Sequence, residues 1–457
     1  LSARSCGTLF RKLQITGSLS LFNDRALLRS AAFKQKETSM KPVFSLFLAG
    51  AFALTAHVAA AADLPIAAPS DVGMSEAQLG ALDARIQAEI DRGSFPGAVI
   101  TVLRDGQVAH HAALGKLGQG DAAMLEDALF RIYSMTKPIV SVAAMMLVEQ
   151  GRLGLSHPLA AYLPAYASMT VMTDDKDADG KPVTRPARRA ITIQDLMRHT
   201  SGLTYGFFGA GPAREAYRAA GIGVGAMAET NIEFANKLAT LPLEYEPGTT
   251  WEYSRSTDVL GAVIEVVTGK PLGEALKEMV LDPLDMIDTG FFVAEADHAR
   301  IAEGNEGEKI GAGPMFDPRD RPVFESGGGG LVSTARDYAR FAQMLLNGGS
   351  LDGVHLLGPQ TVAYMTADHL DDQIKPGKYY LPGAGIGFGL GVGVRHDRGV
   401  VAYNGAAGTY YWGGAGGTYW YNDPENGIAV VFMMQSPASR LKMRPLTHDM
   451  VAAAITD

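Results

Sequence analysis

Phe130-Arg131-Ile132-Tyr133-Ser134-Met135-Thr136-Lys137-Pro138-Ile139 is the stretch from which the rest of this sequence is read. An apolar run continues through Val140, Val142, Ala143, Met145, Met146, Leu147 and Val148 to Gly151, which predicts a long helix opened by a serine and a lysine three residues apart. Positions i and i+3 share one helix face, so the Ser134 hydroxyl and the Lys137 amine come within reach of each other. A first helical turn gathers unpaired N–H groups and the positive end of the dipole. That field, and burial, favour a neutral lysine beside a developing serine alkoxide. The pair is expected to act as a nucleophile with its own base. Ser-x-x-Lys is short and common, so its meaning depends on what accompanies it.

The 457 residues are 47% hydrophobic, enough for one large domain or two of intermediate size. From Met40 the order is a lysine, an apolar run over Val43 to Ala53, and Ala59-Ala60-Ala61-Ala62, the pattern of a secretory signal cleaved near Ala62. This predicts a secreted or periplasmic protein with no membrane association after cleavage. Residues 1–39 are basic and hold the one cysteine, Cys6, and 1–62 as a whole is expected to stand outside the fold. The remaining chain has a formal charge of −15, because 1–62 carries eight basic and two acidic residues. Such an acidic surface argues against a nucleic-acid partner.

Along the chain, Ser75-Glu76-Ala77-Gln78 predicts a capped helix through Ile90, and the apolar runs beside Arg104-Asp105-Gly106 predict a hairpin. His110 and His111 are neighbours on a strand and point to opposite faces, so they cannot share a metal. A polar loop is expected after Pro164. Its Asp175-Lys176-Asp177-Ala178-Asp179-Gly180 matches half of a calcium loop, but Pro186 stands where the closing glutamate belongs, so no metal site is expected. A helix is expected from Thr192 to Gly202, with His199 structural near its end and favoured by the dipole. Pro247 to Arg255 is turn-rich and precedes another helix. Ser326-Gly327-Gly328-Gly329-Gly330 lacks the Gly-Lys-Ser/Thr of a phosphate loop and suggests close backbone packing or a substrate-side turn. Strands are expected over 385–394, 400–403, 412–421 and 428–434, followed by a last helix over 443–455.

Five motifs now stand in order: Ile132-Tyr133-Ser134-Met135-Thr136-Lys137-Pro138, His199-Thr200-Ser201-Gly202-Leu203, Tyr253-Ser254, Gly329-Gly330-Leu331-Val332-Ser333-Thr334 and Trp412-Gly413-Gly414-Ala415. Together they resemble the serine β-lactamase and penicillin-binding superfamily, and within it the family VIII carboxylesterases, relatives of class C β-lactamases. The resemblance implies an α+β fold: an antiparallel sheet flanked by helices on both faces, built from 63–125 and 321–457, and a mostly helical domain over 126–320. It implies that Ser134 attacks an ester carbonyl while Lys137 and Tyr253 share the proton work, without deciding which is the base. It places the oxyanion hole at the backbone N–H groups of Ser134 and of Ala415 on the edge strand, with Gly413 and Gly414 letting substrate approach the main chain. No cofactor is implied, and oligomeric state is left open.

Two departures bear on substrate. Trp412 replaces the lysine of the usual Lys-Thr-Gly, and Arg255 replaces an asparagine two residues after the tyrosine. Losing both favours uncharged short-to-medium acyl esters lying against an aromatic wall at Trp412, with Tyr133 also expected to touch substrate, although Arg255 offers a replacement cation for an anionic substrate. The competing expectations are a class C-like β-lactamase or D-alanyl-D-alanine carboxypeptidase, an acyltransferase, and a binding or sensor protein that is acylated without turnover.

Overall fold

Residues 63–223, 228–310 and 313–457 are described by the computed structural model, so the expected extension and secretory signal over 1–62 lie outside the described residues. The strands that matter here are β1 (Gly97–Arg104), β2 (Gln107–Gly115), β3 (Ile386–Phe388), β4 (Gly393–Arg395), β5 (Tyr410–Gly413), β6 (Tyr419–Asp423) and β7 (Ile428–Met434). They form one antiparallel sheet in the order β3-β4-β5-β6-β7-β1-β2, so segments distant in sequence lie side by side. The β1–β2 turn is tight because Asp105 and Gly106 both take positive φ, 50° and 82°, as a two-residue hairpin requires.

The helices that matter here are α1 (Glu76–Asp91), α2 (Thr136–Glu149), α3 (Ile193–Met197), α4 (Ser256–Thr268), α5 (Ala335–Leu346) and α6 (Arg440–Ala452). Alternation along the central strands explains why both faces are covered. Val99, Leu103, Val431 and Met433 face the core that contains Phe341 and Ala342 of α5. Ile100, Val102, Val430 and Phe432 face the opposite core, where Leu79, Leu82 and Ile86 of α1 and Met443 of α6 meet them. The fold is thus the expected α+β arrangement, an antiparallel sheet with helices on both sides.

Several local expectations change. The segment after Pro164 is a hairpin, Thr170–Lys176 against Pro182–Pro186, and not a polar loop. The Asp177 carboxylate accepts the backbone N–H groups of Asp179 and Lys181 at 2.9 and 2.8 Å, so the acidic run closes a turn. Among the described residues no cluster could hold a metal ion. The 412–421 stretch is two strands, not one, folded back through the Gly414–Thr418 turn, where Gly417 has φ 116°. Residues 400–403 bend instead of forming a strand. The Arg395 guanidinium accounts for this, because it takes the carbonyls of Asp397, Arg398, Tyr403 and Asn404, which a ladder would otherwise bond.

The helix from Thr192 is also shorter than expected. Thr192 and Asp195 form a capping box, yet the helix stops at Met197 and the chain turns at His199, which has φ 58°. His110 and His111 are ordinary strand residues with separate partners, Asp83 at 2.8 Å and Thr101 at 2.9 Å.

Candidate active site

Ser134 lies in a 3-10 turn, Tyr133–Met135, that leads into α2 two residues later than the sequence suggests. Tyr133 takes φ 44°, which is costly for a bulky residue and requires strong support from its surroundings. That support is visible. Ile132 N–H donates to the Leu331 carbonyl at 3.0 Å, and Tyr338 Oη donates to the Met135 carbonyl at 2.9 Å. Phe130–Arg131 pairs with Val332–Ser333 as a short ladder. Ser134 itself stays only half-buried, whereas Lys137, one turn along, is fully buried.

Around the Ser134 hydroxyl the geometry is compact. Tyr253 Oη donates to Ser134 Oγ at 2.7 Å, and Lys137 Nζ lies 3.4 Å from the same oxygen. The ammonium also donates to the Gly328 carbonyl at 2.6 Å, lies 3.4 Å from Tyr205 Oη, and sits 4.5 Å from the centre of the Tyr253 ring. Trp412 Nε1 donates to Tyr253 Oη at 3.4 Å. Ser134, Lys137, Tyr253 and Trp412 are therefore brought together as the motifs suggest.

The charge on Lys137 differs from expectation. Burial pulls its pKa down, but Tyr205, Tyr253 and Asp258 outweigh that and the net shift is upward. That direction favours the cation over the free amine. His199 is the opposite case: burial, helped by Lys137, drives its pKa well below the usual range, so the ring is neutral and gains nothing from a helix dipole. Its Nδ1 lies 3.2 Å from Ser254 Oγ and its ring packs 4.8 Å from that of Tyr253, a structural role.

Arg255 is engaged within the protein. It is 7% exposed, pairs with Asp258 at 3.2 Å, donates to the Gly223 carbonyl and lies 4.9 Å above the Tyr205 ring. Tyr133 is likewise turned inward, with its ring 5.3 Å from that of Phe316 and its hydroxyl buried. The rows of the sheet correct a further point, because β5 pairs with both β4 and β6 and is not an edge strand. Ala415 stands in the turn after it.

The glycines near Ala415 serve packing within the protein. A Cβ on Gly413 would lie 2.3 Å from the Arg444 guanidinium, one on Gly414 2.5 Å from the Ile132 carbonyl oxygen, and one on Gly416 2.6 Å from the Tyr133 ring. These contacts seat the turn directly on the segment that carries Ser134.

Three participants were not singled out by sequence. Tyr205 has no motif of its own; burial pushes its pKa up to about 12 against the opposing charge of Lys137, so it is a neutral partner. Gly328 belongs to the glycine run, whose function is now plain: its carbonyl receives the lysine. Asp258 accepts Gly328 N–H at 2.9 Å and Ser326 Oγ–H at 2.6 Å, which fixes that carbonyl. Its spacing of three from Arg255 was the available signal.

Beside Trp412, the rings of Tyr205, Trp251, Tyr253 and Phe388 form a buried cluster with Phe207, Phe208 and Tyr380 against it. A separate pocket of about 440 Å³, bounded by Asp368, Tyr380 and His396, is lined by none of Ser134, Lys137 or Tyr253.

Comparison with known proteins gives the family. Residues 82–453 match the family model described as Beta-lactamase. The chain is 33% identical over 390 residues to Esterase EstB of Burkholderia gladioli, covering 80% of this chain and 92% of that protein. It is 30% identical over 383 residues to Lovastatin esterase of Penicillium rubens, covering 78% and 92%. Among solved structures, EstCE1, described as a hydrolase with promiscuous acyltransferase activity, superposes with a TM-score of 0.69 at 29% identity, over 83% of this chain and 98% of that one. With the family model matching over most of its length and its antiparallel sheet in agreement, this chain belongs to the beta-lactamase family, in the serine β-lactamase and penicillin-binding superfamily.

Proposed function

We propose that the protein is a serine carboxylesterase that hydrolyses short-to-medium acyl esters through an acyl-enzyme on Ser134. The observation that carries this reading is the half-buried Ser134 hydroxyl bonded at 2.7 Å to Tyr253 and 3.4 Å from the buried Lys137 ammonium. The esterase names of the relatives support the same substrate class.

In this mechanism Tyr253 reacts as its phenolate, with the hydrogen bond to Ser134 reversed, so that Ser134 Oγ attacks the ester carbonyl while its proton passes to the Tyr253 oxygen. Negative charge on that oxygen is stabilised by the Lys137 cation beneath the ring and by the Trp412 N–H. The carbonyl oxygen, now an oxyanion, is received by the backbone N–H groups of Ser134 and Ala415. Collapse breaks the carbonyl–alkoxy bond, and Tyr253 returns the proton to the departing alcohol. Water then repeats the sequence on the acyl-enzyme and releases the acid. The upward shift of Lys137 favours Tyr253 as the base, with the lysine as its counter-charge. Trp412 brings no charge to the wall and Arg255 is committed to Asp258, which favours uncharged esters. Export by the signal expected over 40–62 would place this activity outside the cytoplasm.

The test is turnover of a p-nitrophenyl ester series and of nitrocefin by the chain and by Ser134→Ala. Ester turnover lost on substitution supports the proposal. Faster nitrocefin than ester hydrolysis would move the substrate class to β-lactams, and a single burst without turnover would make the protein a sensor.

A further inference from the structure

Arg444 has a guanidinium with no carboxylate beside it. It projects from α6, its Nε is buried without a partner, and among the described residues it enters no ion pair; the ring of Tyr419 lies 5.2 Å away. Burial lowers its pKa, yet arginine keeps its charge in proteins. The side chain as a whole is half-buried, so what it touches, and not the cost of burying its charge, argues for a role.

What it touches is specific. Arg444 Nη2 donates to the Gly414 carbonyl at 3.2 Å, and the absence of a side chain at Gly413 leaves room for the guanidinium to pass. That carbonyl also closes the turn by accepting Gly417 N–H at 3.2 Å, while Gly414 N–H is held by the Thr418 carbonyl at 2.8 Å. Thr418 Oγ1 in turn donates to the Ile132 carbonyl at 3.3 Å, two residues before Ser134. The Gly414 carbonyl and the Ala415 N–H are two ends of one peptide group. In a trans peptide they point in opposite directions, so holding the oxygen from one side aims the N–H to the other. A cation on the oxygen also draws electron density from the nitrogen, which makes its hydrogen a better donor to an anion.

We propose that Arg444 is a positioning residue of the oxyanion hole, fixing and polarising the Gly414–Ala415 peptide so that the Ala415 N–H binds the transition-state oxygen. This rests on the assignment of Ala415 as an oxyanion donor made above. Arg444 touches no reacting atom; it acts through the peptide.

The experiment uses the full chain with Arg444→Gln and Arg444→Lys, and a third chain in which the Ala415 amide is replaced by an ester, which removes the N–H and also leaves the Gly414 carbonyl a weaker acceptor. Each is measured for kcat/KM on p-nitrophenyl butyrate, normalised to sites titrated with a fluorophosphonate, and for Ki of an alkylboronic acid that adds Ser134 Oγ at boron. Direct loss of an oxyanion donor costs roughly 10²–10³ in rate, so an indirect effect of about tenfold is expected for Arg444→Gln, in kcat/KM and in boronate affinity alike. Arg444→Lys, which keeps the charge, should fall between and serves as the reading if the glutamine variant does not fold. In the ester chain Arg444→Gln should cost nothing further. A loss in kcat/KM without a matching loss in boronate affinity, or an undiminished loss in the ester chain, would make Arg444 a structural prop and overturn the proposal. An ester chain with wild-type rate would remove the Ala415 assignment itself, and this inference with it. A slow ester chain beside a fully active Arg444→Gln would overturn the inference alone.

Discussion

The Trp412 indole N–H lies 3.4 Å from the Tyr253 hydroxyl oxygen and donates to it, so the residue that replaces a lysine in the fifth motif still addresses the reacting proton. The same phenol holds Ser134 at 2.7 Å. Trp412→Phe keeps a ring in the wall and removes only the donor. Its kcat for p-nitrophenyl butyrate should fall about fivefold to tenfold, the worth of one hydrogen bond, with KM nearly unchanged. A rise in KM with kcat intact would mean that Trp412 contributes packing alone.

Tyr253→Phe and Lys137→Ala should each lower kcat by about 10³ or more, because one proton path uses both groups. Since they act as a unit, the double variant should be scarcely slower than either single one. Losses that multiply in stopped-flow acylation rates would show two independent roles.

Arg255 and Asp258 form a pair whose charge reaches Lys137, since Asp258 raises the lysine pKa. Removing the guanidinium in Arg255→Gln leaves Asp258 less compensated and should raise the Lys137 pKa further. If the lysine works as a cation, the alkaline fall of the pH–rate profile moves to higher pH, which is the expected result. Movement of an ascending limb to higher pH instead, with lower activity near pH 8, would make neutral Lys137 the base.

Glu265 accepts the Leu272 N–H at 3.0 Å, and burial, reinforced by Glu325, raises its pKa to about 7. A carboxyl whose folded pKa exceeds its unfolded value holds more protons when folded, so its contribution to stability falls as pH rises from about 4.5 to about 7. Glu265→Gln should therefore gain about 2 °C in Tm relative to wild type at pH 8, with the gain shrinking toward pH 5. Equal Tm differences at the two pH values would rule out this titration.

How much could be read before folding differs from residue to residue. The β1–β2 hairpin was legible because Asp105-Gly106 supplies two positive φ values between apolar runs. The turn inside 412–421 was missed because glycine there signals both flexibility and close packing, and only the neighbours at Ile132, Tyr133 and Arg444 distinguish them. The partner of Arg255 was missed for a similar reason. The arginine's charge suggests a ligand, and its partner three residues on was outweighed by its place in a motif.

By itself the sequence determined the elements that depend on near neighbours: the spacing of Ser134 and Lys137, the alternation of the strands, and the motif order that identifies the family. Tertiary structure alone decided the charge on Lys137, the burial of Arg255, the entry of Tyr205 and Gly328, and the meeting of Arg444 with Gly414. The reason is that local conformation follows from short-range sterics and periodicity, whereas a proton's affinity depends on every dipole and charge within a few ångströms. Those neighbours come from positions up to hundreds of residues apart, and only the folded chain brings them together.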